Sequence, residues 1–290
     1  MNSYFIRIFS VIFSIVIVML LFVSGCGKSS SDSASPPAAP VYKVEYVPGT
    51  GMNAPVQGKT VYQLKITKQS DGSAATGLAP TLTMTMFMIN GDKHSTPADA
   101  VKASATPGYY DCTVYYLMAS GPTMGTWEMK VSVAGETTTI NPAVAMAMGS
   151  DTIRATLYGA DDIVSGVSGT SYNKYYIFMD GMISASMPTL KLYLSHAESM
   201  MMNFVPASAG SVLTSPTGTV ASMSVEASSD GGANWKTGTD GTNGHWSISG
   251  LTGLASGMTG TIWVKVTVNG QVKTTDGITD YATFLVTPGP

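Results

Sequence analysis

The chain has little charge. Only 11% of its 290 residues are Asp, Glu, Lys or Arg, and the net charge is −3. Lys and Arg form no basic stripe, which excludes nucleic acid as a partner. Cysteine is nearly absent: after Cys26, which follows an apolar run, only Cys112 remains, so no intrachain disulfide is expected. Cys112 sits in an alternating segment and reads as a small core residue. Histidine occurs only at His94, His196 and His245. There is no nucleophile elbow with Ser/His/Asp order, no HExxH and no Gly-rich phosphate loop opening a helix. Asp161, Asp162 and Asp180 read as solvated loop acids. The expectation is a protein that is not an enzyme.

One long apolar run is present, from Ile8 to Val23, preceded by a single charge at Arg7. A charged start, a hydrophobic middle and small residues at a cut are the layout of a secretory signal. The segment Val23-Ser24-Gly25-Cys26 resembles a bacterial lipobox. That resemblance implies a signal peptide over residues 1–25, cleavage before Cys26, and lipid on the Cys26 thiol and amino groups. The alternative is a transmembrane helix, since ~16–18 apolar residues approach the spanning minimum; Gly-Cys-Gly followed by serines fits cleavage better. Residues 26–40, the lipidated Cys and the Ser/Ala/Pro stretch KSSSDSASPPAAP, bury nothing and form a tether. The expected address is the bacterial cell envelope, lipid-anchored to the outer membrane on its periplasmic face or at the cell surface.

From Val41 on, Thr, Val, Tyr, Gly and Ser favour strands and turns. Apolar residues alternate in Thr81–Met88, Tyr110–Met118 and Thr126–Val133, a period of two that puts one face on a core. The pattern then recurs. Thr81–Met86 matches Thr189–Leu194, Gly108-Tyr109-Tyr110 matches Gly244-His245-Trp246, and Met124–Gly135 matches Met258–Gly270 with a shared Lys-Val-x-Val-x-Gly ending. The fold class expected is all-β: two related immunoglobulin-like β-sandwich domains, 41–143 and 144–290, the second with an insertion. Ser228–Trp235 resembles an Asp-box turn and reads as a tight hairpin after a strand at 220–227.

Methionine is the outlier, at 19 residues. It either fills irregular gaps or supplies a soft ligand. Alternating strand directions place Met88, His94, Met118 and Met124 at one end of the first sandwich, with Met52 beside them. In the second half, His196, Met200, Met201, Met202 and Met258 repeat the theme. Thioether with imidazole suits Cu(I) better than Zn²⁺, Mg²⁺ or Ca²⁺. The plainer reading keeps Met84, Met86 and Met129 in the core, lets His94 cap a turn, and makes Met200–Met202 a plug or an adhesive patch.

The segment from about 60 to 130 resembles a YtkA-like (FixH-related) domain. The residues that carry this are Tyr62-Gln63-Leu64-Lys65-Ile66, Asp71-Gly72, a Met-rich strand followed by His, Pro107-Gly108-x-Tyr110, and Met118 with Gly125-Thr126-Trp127-Glu128-Met129-Lys130-Val131. The resemblance implies an immunoglobulin-like sandwich in the periplasm and a link to copper handling or oxidase maturation. The lipid anchor and the second domain depart from that pattern. Three functions follow: a copper-binding lipoprotein with site residues Met88, His94, Met118 and Met124 and a second set at His196, Met200 and Met258; a structural module presenting loops to an envelope protein partner; or a surface adhesin or glycan binder, resting only on the aromatics and the single Asp-box-like turn. A Cys26→Ser variant expressed in a bacterium is expected to lose incorporation of labelled fatty acid and to move from the membrane to the soluble fraction, whereas a spanning helix would keep it in the membrane.

Overall fold

In the computed structural model, residues 39–48, 55–164, 171–214 and 217–290 are described. The leader, Cys26, most of the tether and Met52 lie outside them. The strands of the first half are β1 (Tyr42–Pro48), β2 (Gly58–Lys68), β3 (Thr81–Met88), β4 (Lys93–His94), β5 (Lys102–Ala103), β6 (Tyr109–Tyr116), β7 (Gly125–Val133) and β8 (Glu136–Ile140). They form two antiparallel sheets, ordered β1-β2-β6-β5 and β4-β3-β7-β8. This is the strand order of an immunoglobulin-like sandwich. The period-two face of each strand makes the core: Tyr62, Leu64 and Ile66 from β2, Met84 and Met86 from β3, Tyr110, Cys112 and Val114 from β6, and Trp127, Met129 and Val131 from β7. Truncating a core residue as large as Trp127 to Ala would cost about 3–5 kcal/mol. Burial among these residues pushes the Cys112 thiol up to about 12, which makes it an inert packing group.

The second half continues with β9 (Arg154–Leu157), β10 (Tyr175–Met179), β11 (Thr189–Glu198), β12 (Asn203–Pro206), β13 (Val212–Thr214), β14 (Thr217–Thr219), β15 (Met223–Ser228), β16 (Lys236–Thr237), β17 (Thr239–Asp240), β18 (His245–Ser249), β19 (Gly260–Val268), β20 (Gln271–Val272) and β21 (Ala282–Val286). One sheet runs β17-β18-β11-β10-β9 and the other β16-β15-β19-β20, with β21 also on β19. Strands 10-11-18-17 and 16-15-19-20 thus repeat the order 1-2-6-5 and 4-3-7-8 of the first half. The hairpin expected at Ser228–Trp235 joins β15 to β16, with the Asp230 carboxyl accepting the Asn234 amide at 2.9 Å.

This order corrects one element of the sequence match. Thr189–Leu194 is the counterpart of β2 rather than of β3, because β11 pairs with β18 as β2 pairs with β6. A local tie fixes the equivalence. The Ile66 amide donates to the Gly108 carbonyl, the Ala75 amide donates to the Ile66 carbonyl, and the Tyr110 hydroxyl donates to the Ala75 carbonyl at 2.9 Å. In the second half the Leu194 amide donates to Gly244, the Ala207 amide donates to Leu194, and the Trp246 indole donates to the Ala207 carbonyl at 3.1 Å. The alternation of Leu and Met in the first segment and of Leu in the second suits any core strand and hid the shift.

The sheet β1-β2-β6-β5 also buries part of its outer face. Tyr115 alternates away from Tyr110, Cys112 and Val114 yet is fully buried, together with Leu117, Tyr176, Phe178, Tyr193 and Ala197. Tyr115 stacks on Tyr193 with ring centroids 4.0 Å apart and planes 6° from parallel. Pro40–Pro290 accordingly forms one compact unit.

Gly244 tests the repeated tie. It has φ +82°, and a Cβ there would overlap the Leu194 carbonyl oxygen; Gly253 has a similar φ of +76° with nothing near. Gly253→Ala should cost about 1 kcal/mol for the left-handed backbone alone. Gly244→Ala should cost more than about 2 kcal/mol because overlap is added. Urea unfolding of both variants checks the difference.

Candidate functional site

The first predicted cluster falls at one end of the first sandwich, where His94 and Met118 are in contact. The Asn90-Gly91 turn, with Gly91 at φ +90° and the Asn90 and Asp92 side chains bonded at 2.7 Å, folds β4 back onto β3. His94 is therefore a strand residue opposite Met86, 7% exposed, and not the loop-tip group expected from the sequence. Its Nδ1 lies 2.8 Å from the Ser95 carbonyl oxygen, and its Nε2 lies 3.1 Å from Met118 Sδ. Trp127 holds both partners: its ring meets the His94 ring edge-on at 5.3 Å, and its indole nitrogen donates to the Met118 carbonyl at 2.9 Å. Met88 is paired with Gly125, and the Ile89 amide donates to the Met124 carbonyl. Met88, Met118 and Met124 are all half-buried against the first core.

A carbonyl only accepts, so Nδ1 carries the proton that bonds Ser95. Burial lowers the His94 pKa from its ordinary value, with the bond to Ser95 opposing it, so the ring is neutral at pH 7. A neutral ring with Nδ1–H has a bare Nε2. That lone pair faces a thioether sulfur, itself an acceptor, and nothing is shared between them. Among the described residues no group of three or more His, Cys, Asp and Glu side chains could hold a metal ion. A metal here would therefore depend on thioether sulfur, and the donor set fits a soft cation.

The second predicted cluster is not assembled. His196 is fully buried within β11, opposite Tyr175. Met200 and Met258 are exposed, at 73% and 67%. Thr189, at the start of β11, pairs with Ser249 at the end of β18, so the loop carrying Met258 leaves from the end opposite His196. Seven residues of strand, ~23 Å, intervene. The cause is the shifted equivalence of β11: as the counterpart of β2, its C-terminal end meets the start of β18 and not the loop after it. Of the neighbouring methionines, Met201 accepts the Ser95 amide through its carbonyl at 2.8 Å, and Met202 is 44% exposed.

The three acids read as solvated are paired instead. Asp161 and Asp162 meet Lys273. Asp180 lies at the junction between the stacked sheets. Its carboxylate takes the Tyr115 hydroxyl at 2.7 Å, the Lys59 ammonium at 2.9 Å and His245 Nδ1 at 3.0 Å, while His245 Nε2 lies 3.1 Å from Asp99. Burial opposes ionisation of Asp180, but the bonds from His245, Tyr115 and Lys59 outweigh it and hold the carboxyl at about 2. Hydrogen bonds to Asp180 and then to Asp99 raise His245 to about 9. Sequence reading missed this cluster because its members are far apart in the chain: Lys59, Tyr115 and His245 sit on the outward parity of their strands, and Asp99 and Asp180 lie between strands. The buried Tyr115 was the one local signal, and only if both faces of β6 had been taken as covered.

No protein-family model matches the chain, and no curated protein matches it in sequence. Among solved structures, a chimeric titin Z1Z2 carrying an exogenous KLER peptide from decorin is similar at 10% identity, covering 87% of this chain and 100% of that one with a TM-score of 0.21. Titin A168169 follows at 9% identity, 84% and 95% coverage and a TM-score of 0.20. The titin I67–I69 three-domain variant stands at 7%, 87%, 99% and 0.18. Scores this low carry nothing about this chain.

The pH dependence of the junction follows from the sign of the His245 shift. With a folded value of about 9 and an unfolded value of about 6.5, its contribution is complete below pH 6.5 and is lost as pH rises through 9. His245 is 34% exposed, so solvent screening reduces the size. The Tm of the wild type should fall between pH 6.5 and 9 by more than that of His245→Gln, measured by thermal denaturation across that range.

Proposed function

We propose that this chain is a lipid-anchored, non-catalytic envelope protein that binds Cu(I) at one end of its first sandwich. The observation that carries this reading is the bare Nε2 of His94 held against the Met118 thioether, with the tautomer set by Ser95. His94 and Met118 would hold the metal directly, with Met88 and Met124 as further thioether donors from the same end. A soft, neutral donor set stabilises a monovalent cation and selects against hard divalent ions, which suits buffering or delivery to a partner. The lipobox-like leader supports placement at a membrane.

A second reading is an interaction module with no metal. Its support is the exposed methionine of the second half and the connecting segment: Met148 is 95% exposed, Met182 86% and Met187 79%. Methionine is an adaptable contact residue at protein interfaces.

Anaerobic titration of the full chain with Cu(I) against a competing chelator separates the two. The copper reading predicts one tight equivalent, lost in His94→Ala and weakened at least about tenfold, about 1.4 kcal/mol, in Met118→Ala. Because burial lowers the His94 pKa, binding should persist through the pH at which an ordinary imidazole takes its proton, ~6.5, and weaken as the pH falls further. Binding unchanged in both variants, or none in the wild type, would leave the interaction reading.

A further inference from the structure

Among the described residues Lys273 is the only lysine or arginine that is fully buried. It follows directly on β20, and its amide donates to the Val266 carbonyl at 2.8 Å. The side chain passes beneath the Tyr175 ring, with Nζ 5.2 Å from the centroid. Nζ then meets Gln271 Oε1 at 2.9 Å, Asp161 Oδ1 at 2.6 Å and Asp162 Oδ2 at 3.1 Å. Asp162 is itself 1% exposed, and the Gly159 amide donates to its Oδ2 at 2.6 Å. Its other oxygen lies 3.8 Å from His196 Nε2, and His196 Nδ1 lies 3.6 Å from Glu198 Oε1. Neither nitrogen of this fully buried imidazole is within hydrogen-bond distance of a partner.

We propose that Lys273 and Asp162 are joined by an intramolecular amide bond that the folded chain forms on itself. The ammonium first passes a proton to the carboxylate across their contact, leaving an amine and a carboxylic acid. The amine nitrogen attacks Asp162 Cγ and the C–N bond forms. A second proton moves from nitrogen to the acid hydroxyl, the C–O bond breaks, and water departs. No electrons are transferred and no further reagent is consumed.

The surroundings favour that outcome over an ion pair. A buried ion pair carries a desolvation cost that an uncharged amide does not. Burial also drives Asp162 up towards the protonated acid, against the pull of Lys273, and the protonated form is the one whose hydroxyl leaves as water. Burial likewise lowers His196 to about 4, against Glu198, so among the described residues Lys273 is the one buried cation beside Asp161 and Asp162. Asp161 is nearer to Nζ, but its side chain is 47% exposed. Water reaches that side chain despite its pairing with Lys273, and a hydrated carboxylate is a poor electrophile. The bond would tie the segment after β9 to the break between β20 and β21, the role a disulfide takes in thiol-rich sandwiches.

Mass spectrometry of the full chain under denaturing, reducing conditions tests this directly, since the wild type must be lighter by one water, about 18 Da. A tryptic map should show a branched peptide joining Lys273 to Asp162, with no cleavage after Lys273. Asp161→Ala should keep the loss, and Lys273→Arg and Asp162→Ala should abolish it. A wild type of full mass that trypsin cleaves after Lys273 overturns the proposal without any variant having to fold. So does a loss that survives in Lys273→Arg, which would assign it to succinimide at an Asp-Gly pair such as Asp230-Gly231. Fragment ions placing the branch on Asp161 would overturn it as well.

Discussion

The stack of Tyr115 on Tyr193, capped by the Asp180 carboxylate, is the contact on which the arrangement of this chain depends. It joins the outer faces of two sheets that an isolated sandwich would leave to water. With 11% charged residues, few ion pairs are available to hold such faces together. Three of them lie here: Lys59, Asp99, Asp180 and His245 surround the aromatic pair. The aromatic area supplies the attraction, and the Asp180 carboxylate, 12% exposed, sets the register, because it accepts from Tyr115 and Lys59 on one side and His245 on the other. Moving either sheet would strand a charge away from water, which costs several kcal/mol. The same packing brings Met201 against Ser95, the residue that fixes the His94 tautomer, so the junction and the candidate metal end are physically connected.

The two halves share more than topology. The tie through Ile66, Ala75, Gly108 and Tyr110 is repeated at Leu194, Ala207, Gly244 and Trp246. The turn between β7 and β8 has Ala134 and Gly135 at positive φ, as has the turn between β19 and β20 at Asn269 and Gly270. Around this frame the halves diverge. The first keeps a short hairpin that presses His94 into the core edge beside methionines. The second extends β11 past the sandwich, adds β12, and interrupts its last strand so that Lys273 enters the interior. Each departure from the frame coincides with a buried polar group, where a β-sandwich gains least in stability and chemistry becomes available.

Much of this was legible in the sequence because alternation with period two is a strong signal in half-buried strands. The cores of β3, β6 and β7 followed from it residue by residue, as did the convergence of Met88, His94, Met118 and Met124 on one end. The pairing of β11 was not legible. Thr-Leu-x-Leu-x-Leu satisfies a strand on either sheet, and only the hydrogen bonds that Leu194 donates to Gly244 and accepts from Ala207 decide between them. Asp161, Asp162 and Asp180 were misread for a different reason. An acid in a turn looks solvated until the partner arrives, and Lys273 lies 112 residues from Asp161 and His245 lies 65 from Asp180. Pairings at such separations leave no local trace.

X-ray absorption at the copper edge of the Cu(I)-loaded full chain is the most direct test of the role assigned to His94 and Met118. The account predicts sulfur scatterers at ~2.3 Å together with one nitrogen at ~2.0 Å, both lost in His94→Ala. A spectrum of oxygen and nitrogen alone, or one identical in that variant, would contradict it.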